Sequence, residues 1–138
     1  MNTREKLLGI SKTLYFLLIF LIPVNLGKHF ELLSSYVGGV LVDYLVPTIF
    51  IQDILVVSIL LLWVFSGGLP RLFKSEGSIF EKKEVQFSAL FVFSLLLSTL
   101  VSSRFIPSIY SWVRVFLYFS LFLYTLVEIP VEDNFFKV

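Results

Sequence analysis

The chain has 138 residues, 57% of them hydrophobic and 15% charged, with a formal net charge of +1 and no cysteine. Soluble globular domains are roughly a quarter charged, so lipid is the expected solvent. The missing cysteines exclude a disulfide framework, a thiolate nucleophile and a Cys-based metal site, and the near-neutral charge gives no basis for nucleic-acid binding.

Residues 14–26 are apolar except for Pro23 and Asn25. Extended back to Ile10, the run makes about 27 Å of helix, just enough to cross a hydrocarbon layer of about 30 Å. Its basic lead of Arg4, Lys6 and Lys12 is also that of a signal peptide, but the small residues of a cleavage site are wanting, since the only alanine is Ala89. An uncleaved first helix over about 10–27 is expected.

The next stretch, LGKHFELLSSYVGGVLVDYLVP at 26–47, is far more polar than its flanks. Two short β-prone runs, Ser35-Tyr36-Val37 and Val40-Leu41-Val42, flank Gly38-Gly39, the signature of a two-residue hairpin turn. A small hairpin is expected here, covered by the bundle or the membrane surface because an isolated hairpin is marginal in water. A re-entrant or interfacial helical piece is the alternative. Pro47 suits the first turn of a second helix over 48–66, and Gly67-Gly68-Leu69-Pro70 stops it.

Residues 85–101 and 109–127 complete a set of four segments near the ~20 residues a span requires. The expected fold is all-α membrane: a single membrane domain over 1–138, with four transmembrane helices and an extracytoplasmic β-hairpin between the first two. Basic residues set the orientation. Arg4, Lys6, Lys12, Arg71, Lys74, Lys82, Lys83 and Lys137 fall on one side, against Lys28 and Arg104 on the other, so both termini are expected in the cytoplasm. Trp63 on the inner side and Tyr110 and Trp112 on the outer side sit where aromatic rings favour the headgroup level.

The runs Gly27-Lys28-His29-Phe30, Val42-Asp43-Tyr44 and Pro47-Thr48 ahead of Asp53 have an order that generic apolar sequence does not supply. In their context, NLGKHF and SYVGGVLVDYLVPTIFIQDIL, they resemble the amino-terminal portion of the O-antigen ligase and polymerase family of polytopic bacterial inner-membrane proteins, closely over about residues 10–65 and loosely beyond. The resemblance implies that the stretch is an amino-terminal fragment, inactive alone, of a protein whose later half carries the principal catalytic Arg and His positions on a large outer loop. For the whole protein it implies transfer of an oligosaccharide from an undecaprenyl-pyrophosphate carrier on the outer face of the inner membrane, with no nucleotide-sugar donor. It does not separate ligase from polymerase. The rival expectation is a small non-enzymatic four-helix membrane protein, a transporter subunit or assembly partner.

Asp53 and Arg114 are the ionisable residues inside predicted spans, where each costs on the order of 2.5–3.5 kcal/mol at a helix centre. Counted from Pro47 and Pro107, they lie about 9 Å and 10 Å along their helices, a matched depth that predicts a structural Asp53–Arg114 pair. In the functional reading Arg114 meets the carrier's pyrophosphate, because a guanidinium forks onto phosphate oxygens. Arg104 and Lys28 would add charge to that outer site, or else are solvated loop residues. His29, the only histidine, reads as an interfacial anchor more readily than as a base or ligand, with no second ligand at metal spacing. Asp43 is expected to orient the hairpin by bonding backbone N–H groups. Acid–base work by a carboxylate pair would need Glu31, Asp43 or Asp53 brought together. Ser94, Ser98 and Ser102 form a small-residue ridge for helix packing. No nucleotide-binding glycine pattern or catalytic triad order is present, and neither a cofactor, a metal nor a particular catalytic residue is expected.

Overall fold

A computed structural model describes residues 3–24, 26–74 and 79–129, and is mostly helical. Asn25 and Lys137 lie outside the described residues. Five helices, α1 (Thr3–Leu21), α2 (Ile51–Phe65), α3 (Gly68–Lys74), α4 (Lys83–Leu100) and α5 (Phe105–Glu128), carry a small β platform between α1 and α2.

Helix α1 begins and ends earlier than 10–27. Arg4, Glu5, Lys6, Leu7 and Leu8 are good helix formers, so the helix runs back through the polar lead. It stops at Leu21 because Pro23 disfavours helical backbone in the residue before it and cannot donate an N–H.

The expected hairpin is present: β2 (Tyr36–Val37) pairs antiparallel with β3 (Val40–Leu41). Gly38 and Gly39 turn it with φ of +58° and +83°, the two left-handed positions of a tight hairpin turn. Ser35 ties its base, its Oγ donating to the Leu45 carbonyl at 3.0 Å and its own carbonyl accepting from Val42 N at 3.0 Å.

The second helix starts later than Pro47. Thr48, Ile49 and Phe50, β-branched or aromatic, form β4 (Thr48–Phe50) and pair with β1 (Gly27–His29), a ladder that sequence reading did not anticipate. Flanking bonds from Phe30 N to Pro47 O and from Ile51 N to Leu26 O, 2.9 and 3.0 Å, lengthen the ladder at both ends. Gly27 is required for close approach, since a Cβ there would fall 2.8 Å from Phe50 Cδ1 and Thr48 Cγ2. Helix α2 closes at Gly67, φ +83°.

The core runs along α1, α2 and α5, where Leu18, Val56, Ile59, Trp63, Leu123 and Tyr124 are buried. Trp63 and Tyr124 meet edge to face with ring centroids 5.6 Å apart, and Ser11 Oγ lies 3.2 Å from Tyr124 Oη. By length and composition, α4 and α5 are the two helices among the described residues long and apolar enough to cross a membrane. Their apolar windows are only 17% and 11% buried inside the protein, unlike the core helices of a soluble domain, so lipid is the solvent their surfaces fit.

Candidate functional site: the arginine at the platform end of helix five

Asp53 is the third residue of α2, nearer the helix start than counting from Pro47 predicts, because 48–50 are strand. Its carboxylate has three donors. Oδ2 accepts from Phe50 N at 3.0 Å, capping the helix, while Oδ1 accepts from Arg114 Nε at 3.1 Å and from Tyr118 Oη at 3.0 Å. Asp53 and Arg114, chosen from the sequence as a structural pair, therefore meet, with side chains 13% and 35% exposed. The Phe50 ring lies under the guanidinium, 4.5 Å from Cζ, a cation–π contact that depends on Gly27 leaving room for the ring.

The guanidinium is used side-on. Its hydrogen bond to Asp53 passes through Nε, and the residue stands in the wall of two grooves. One, about 330 Å³, lies between α2 and α5 and is lined by Ile54, Val57, Tyr110 and Leu117; the other, about 510 Å³, is lined by Leu18, Ile22, Phe50, Gln52 and Tyr118. Asp53 also accepts from Tyr118 and stands in the first turn of α2, where the partial positive charge of the helix N-terminus favours a carboxylate. Tyr110 Oη donates to the Thr48 carbonyl and fixes α5 to the platform at this end.

The other residues singled out from sequence do not converge here. Lys28 projects from β1 over the Phe30 ring, 5.6 Å from its centroid. Arg104 caps the start of α5 and lines a separate groove between α4 and α5. His29 Nδ1 is 2.7 Å from Thr48 Oγ1, and the imidazole shares a cavity of about 380 Å³ with Glu31 and Asp43, away from Asp53. Asp43 closes its turn through its backbone carbonyl, which accepts from Val46 N at 3.1 Å. Among the described residues no group of three His, Asp or Glu is placed to hold a metal ion. On the exposed platform, Tyr36 Oη donates to Glu31 Oε2 at 3.1 Å. That hydrogen bond, and the charge of Glu31 against a developing phenolate, raise the Tyr36 pKa above its usual value.

Two features escaped the sequence reading. Gln52 sends its side-chain amide N–H groups to the Leu21 and Val24 carbonyls, capping the end of α1 from α2. Two carbonyl acceptors fix the amide orientation. At the opposite end of α2 and α5, Glu128, 6% exposed, accepts from Trp63 Nε1 at 2.9 Å and pairs with Arg71 at 2.8 Å. Arg71 also donates to Ser66 O, Ser66 Oγ and Gly67 O, covering carbonyls at the end of α2. The signal was Glu128 itself, an acid directly after an apolar span, with Arg71 just beyond the glycine stop.

No protein-family model matches the chain, and neither a curated protein nor a solved structure matches it.

Proposed function

We propose that the chain is a four-span membrane module, platform end outward, that holds a phosphate-headed lipid at Arg114, and that this lipid is the undecaprenyl-pyrophosphate carrier of a glycan ligase or polymerase. The observation that carries the reading is the placement of Arg114: a cation fixed by Asp53 and Phe50, standing in the walls of two largely apolar grooves. An amphiphile with an anionic head needs that combination, and the guanidinium supplies the fork for phosphate. The order of residues in the connector supplies the family, and with it the carrier.

Beside α4 and α5, length supports a span through α2, and α1, with its charged first turns, is taken as the fourth. Three residues of β4 and fifteen of α2 together extend about 32 Å, a membrane thickness, with the strand's backbone satisfied by β1. The surplus of basic residues on the side of Arg71 and Lys82 supports the orientation. The cysteine-free chain makes that testable with an impermeant thiol reagent on intact cells. Leu33→Cys, at a residue 95% exposed beside the hairpin, is expected to react from outside, and Phe73→Cys, 73% exposed on α3, is not. The reverse pattern would overturn the orientation.

The ligand reading is tested with purified protein in lipid nanodiscs, comparing undecaprenyl pyrophosphate with undecaprenol. The pyrophosphate is expected to bind preferentially, and Arg114→Gln to weaken it about tenfold or more. Equal binding of the two forms would overturn the reading. It would favour the second one, a non-enzymatic assembly partner, which has its own supporting observation: Asp53–Arg114 and Arg71–Glu128 are both closed within the chain.

A further inference from the structure

Helix α2 with its leading strand already covers a membrane thickness, so the seven residues of α3 have no hydrocarbon layer left to cross. The chain turns at Gly67, and Gly68 lies against the Trp63 ring with no room for a Cβ, which seats α3 on the end of α2. It packs on α5 as well, where Arg71 reaches Glu128, the last residue of that helix. Helix α3 therefore sits at the ends of α2 and α5, where hydrocarbon gives way to headgroups.

Its side chains divide accordingly. Leu72 is buried in the core, while Leu69 and Phe73, one helical turn apart on a single flank, are exposed. The Phe73 ring stacks on Phe80 with centroids 5.7 Å apart, so the apolar flank reaches the start of α4. Directly after Phe80 stand Glu81, Lys82, Lys83 and Glu84, all exposed, and the apolar run of α4 opens at Val85. The stacked rings thus lie beside the charged collar where α4 leaves water.

Large apolar side chains gathered on an exposed patch call for a covering surface. The surfaces on either side of this patch in the chain are apolar too: Val64 and Phe65 are exposed at the end of α2, and Phe87 is exposed one turn into α4, whose surface lipid fits. The collar carries two acids and two bases, and Arg71 is spent on Glu128, so the patch offers apolar area and no net charge for a charged protein to recognise. We infer that α3 is an interfacial helix, which sets Leu69, Phe73 and Phe80 about 5–10 Å into the boundary between headgroups and acyl chains while Leu72 and Arg71 fasten it to the bundle. The partner is the bilayer surface itself, and the helix fixes the depth at which α2 and α5 end. This placement rests on α2 being a span, and on neither Arg114 nor the orientation.

The test uses the full chain in phosphatidylcholine vesicles, with one nitroxide label at a time on an introduced cysteine. Collisions with oxygen, which concentrates in the bilayer, and with a water-soluble nickel chelate give the depth of each label. Leu69→Cys and Phe73→Cys are expected to meet oxygen more often than the chelate and to lie about 5–10 Å below the phosphates. They should be deeper than Glu81→Cys in the collar and shallower than Phe91→Cys, halfway along α4. Chelate collisions at 69 and 73 as frequent as at 81 overturn the inference. Collisions with neither reagent overturn it as well, since a protein surface then covers the flank. Leu61→Cys, exposed on α2, tests the span separately. Found in water, it removes the span on which α3 depends; found deep, with 69 and 73 in water, it leaves the span standing and removes the interfacial helix alone.

Discussion

Arg71→Ala is expected to lower stability by about 3 kcal/mol, at the lower end of the range for breaking a buried ion pair. Glu128 is almost wholly enclosed beside Arg71, so removing its partner leaves a largely buried carboxylate without its cation. The figure sits at the low end because the Arg71 side chain is 38% exposed and part of the pair's attraction is already screened. The same substitution uncovers the Ser66 and Gly67 carbonyls at the end of α2. Glu128→Gln should cost less, about 1–2 kcal/mol, because an amide oxygen still accepts from Trp63 Nε1 while the charge is lost. Arg71→Met with Glu128→Leu should recover much of the loss, since two well-packed apolar groups carry no desolvation penalty. Unfolding in mixed micelles, followed by the emission of Trp63 inside the cluster, ranks the variants. An Arg71→Ala chain within about 0.5 kcal/mol of the parent, the size of an ordinary surface substitution, would mean that the cluster does not hold α2, α3 and α5 together.

The reach of sequence reading here follows from which signals are local. Two adjacent glycines between β-prone pairs specify their own turn, and the hairpin at Gly38-Gly39 is where that rule puts it. Apolar length places α4 and α5 within a few residues of their observed bounds. Helix α2 was misjudged at its start because Pro47 is as compatible with a strand edge as with a first helical turn. What decides is the pairing of Thr48–Phe50 with Gly27–His29, a contact between residues about twenty positions apart. The Asp53–Arg114 pair was legible because charges in apolar runs must find partners. The Glu128 cluster was not, since its acid lies at the edge of a span where water would have sufficed. The split of Arg114 and Arg104 between different grooves of α5 depends on which neighbour packs on which flank, which the apolar length that places the helix does not encode.

Exchanging Asp53 and Arg114 is expected to rescue only part of what either single reversal loses. Asp53→Arg and Arg114→Asp should each destabilise by about 3–5 kcal/mol, because each sets two like charges together in a partly buried site. In the double variant the pair is restored with opposite polarity, and most of that repulsion disappears. The deficit that remains has a definite origin. Asp53 is also the third residue of α2, and its carboxylate accepts the Phe50 N–H at 3.0 Å. An arginine there accepts nothing, which costs about 1 kcal/mol for the cap, and it places a cation at the positive end of the helix, about another 0.3–1 kcal/mol. The aspartate at 114, in turn, cannot lie over the Phe50 ring as the guanidinium does. A residual loss of about 1–2 kcal/mol relative to the parent is therefore expected, with a favourable coupling term larger than that loss in the double-mutant cycle. Losses that simply add would show that the two charges do not act as a pair. Complete recovery would show instead that Asp53 has no capping role. Binding separates structure from ligand: on the proposed reading the exchanged chain, though largely refolded, carries its guanidinium from 53 on the other wall of the groove and should distinguish undecaprenyl pyrophosphate from undecaprenol less well than the parent.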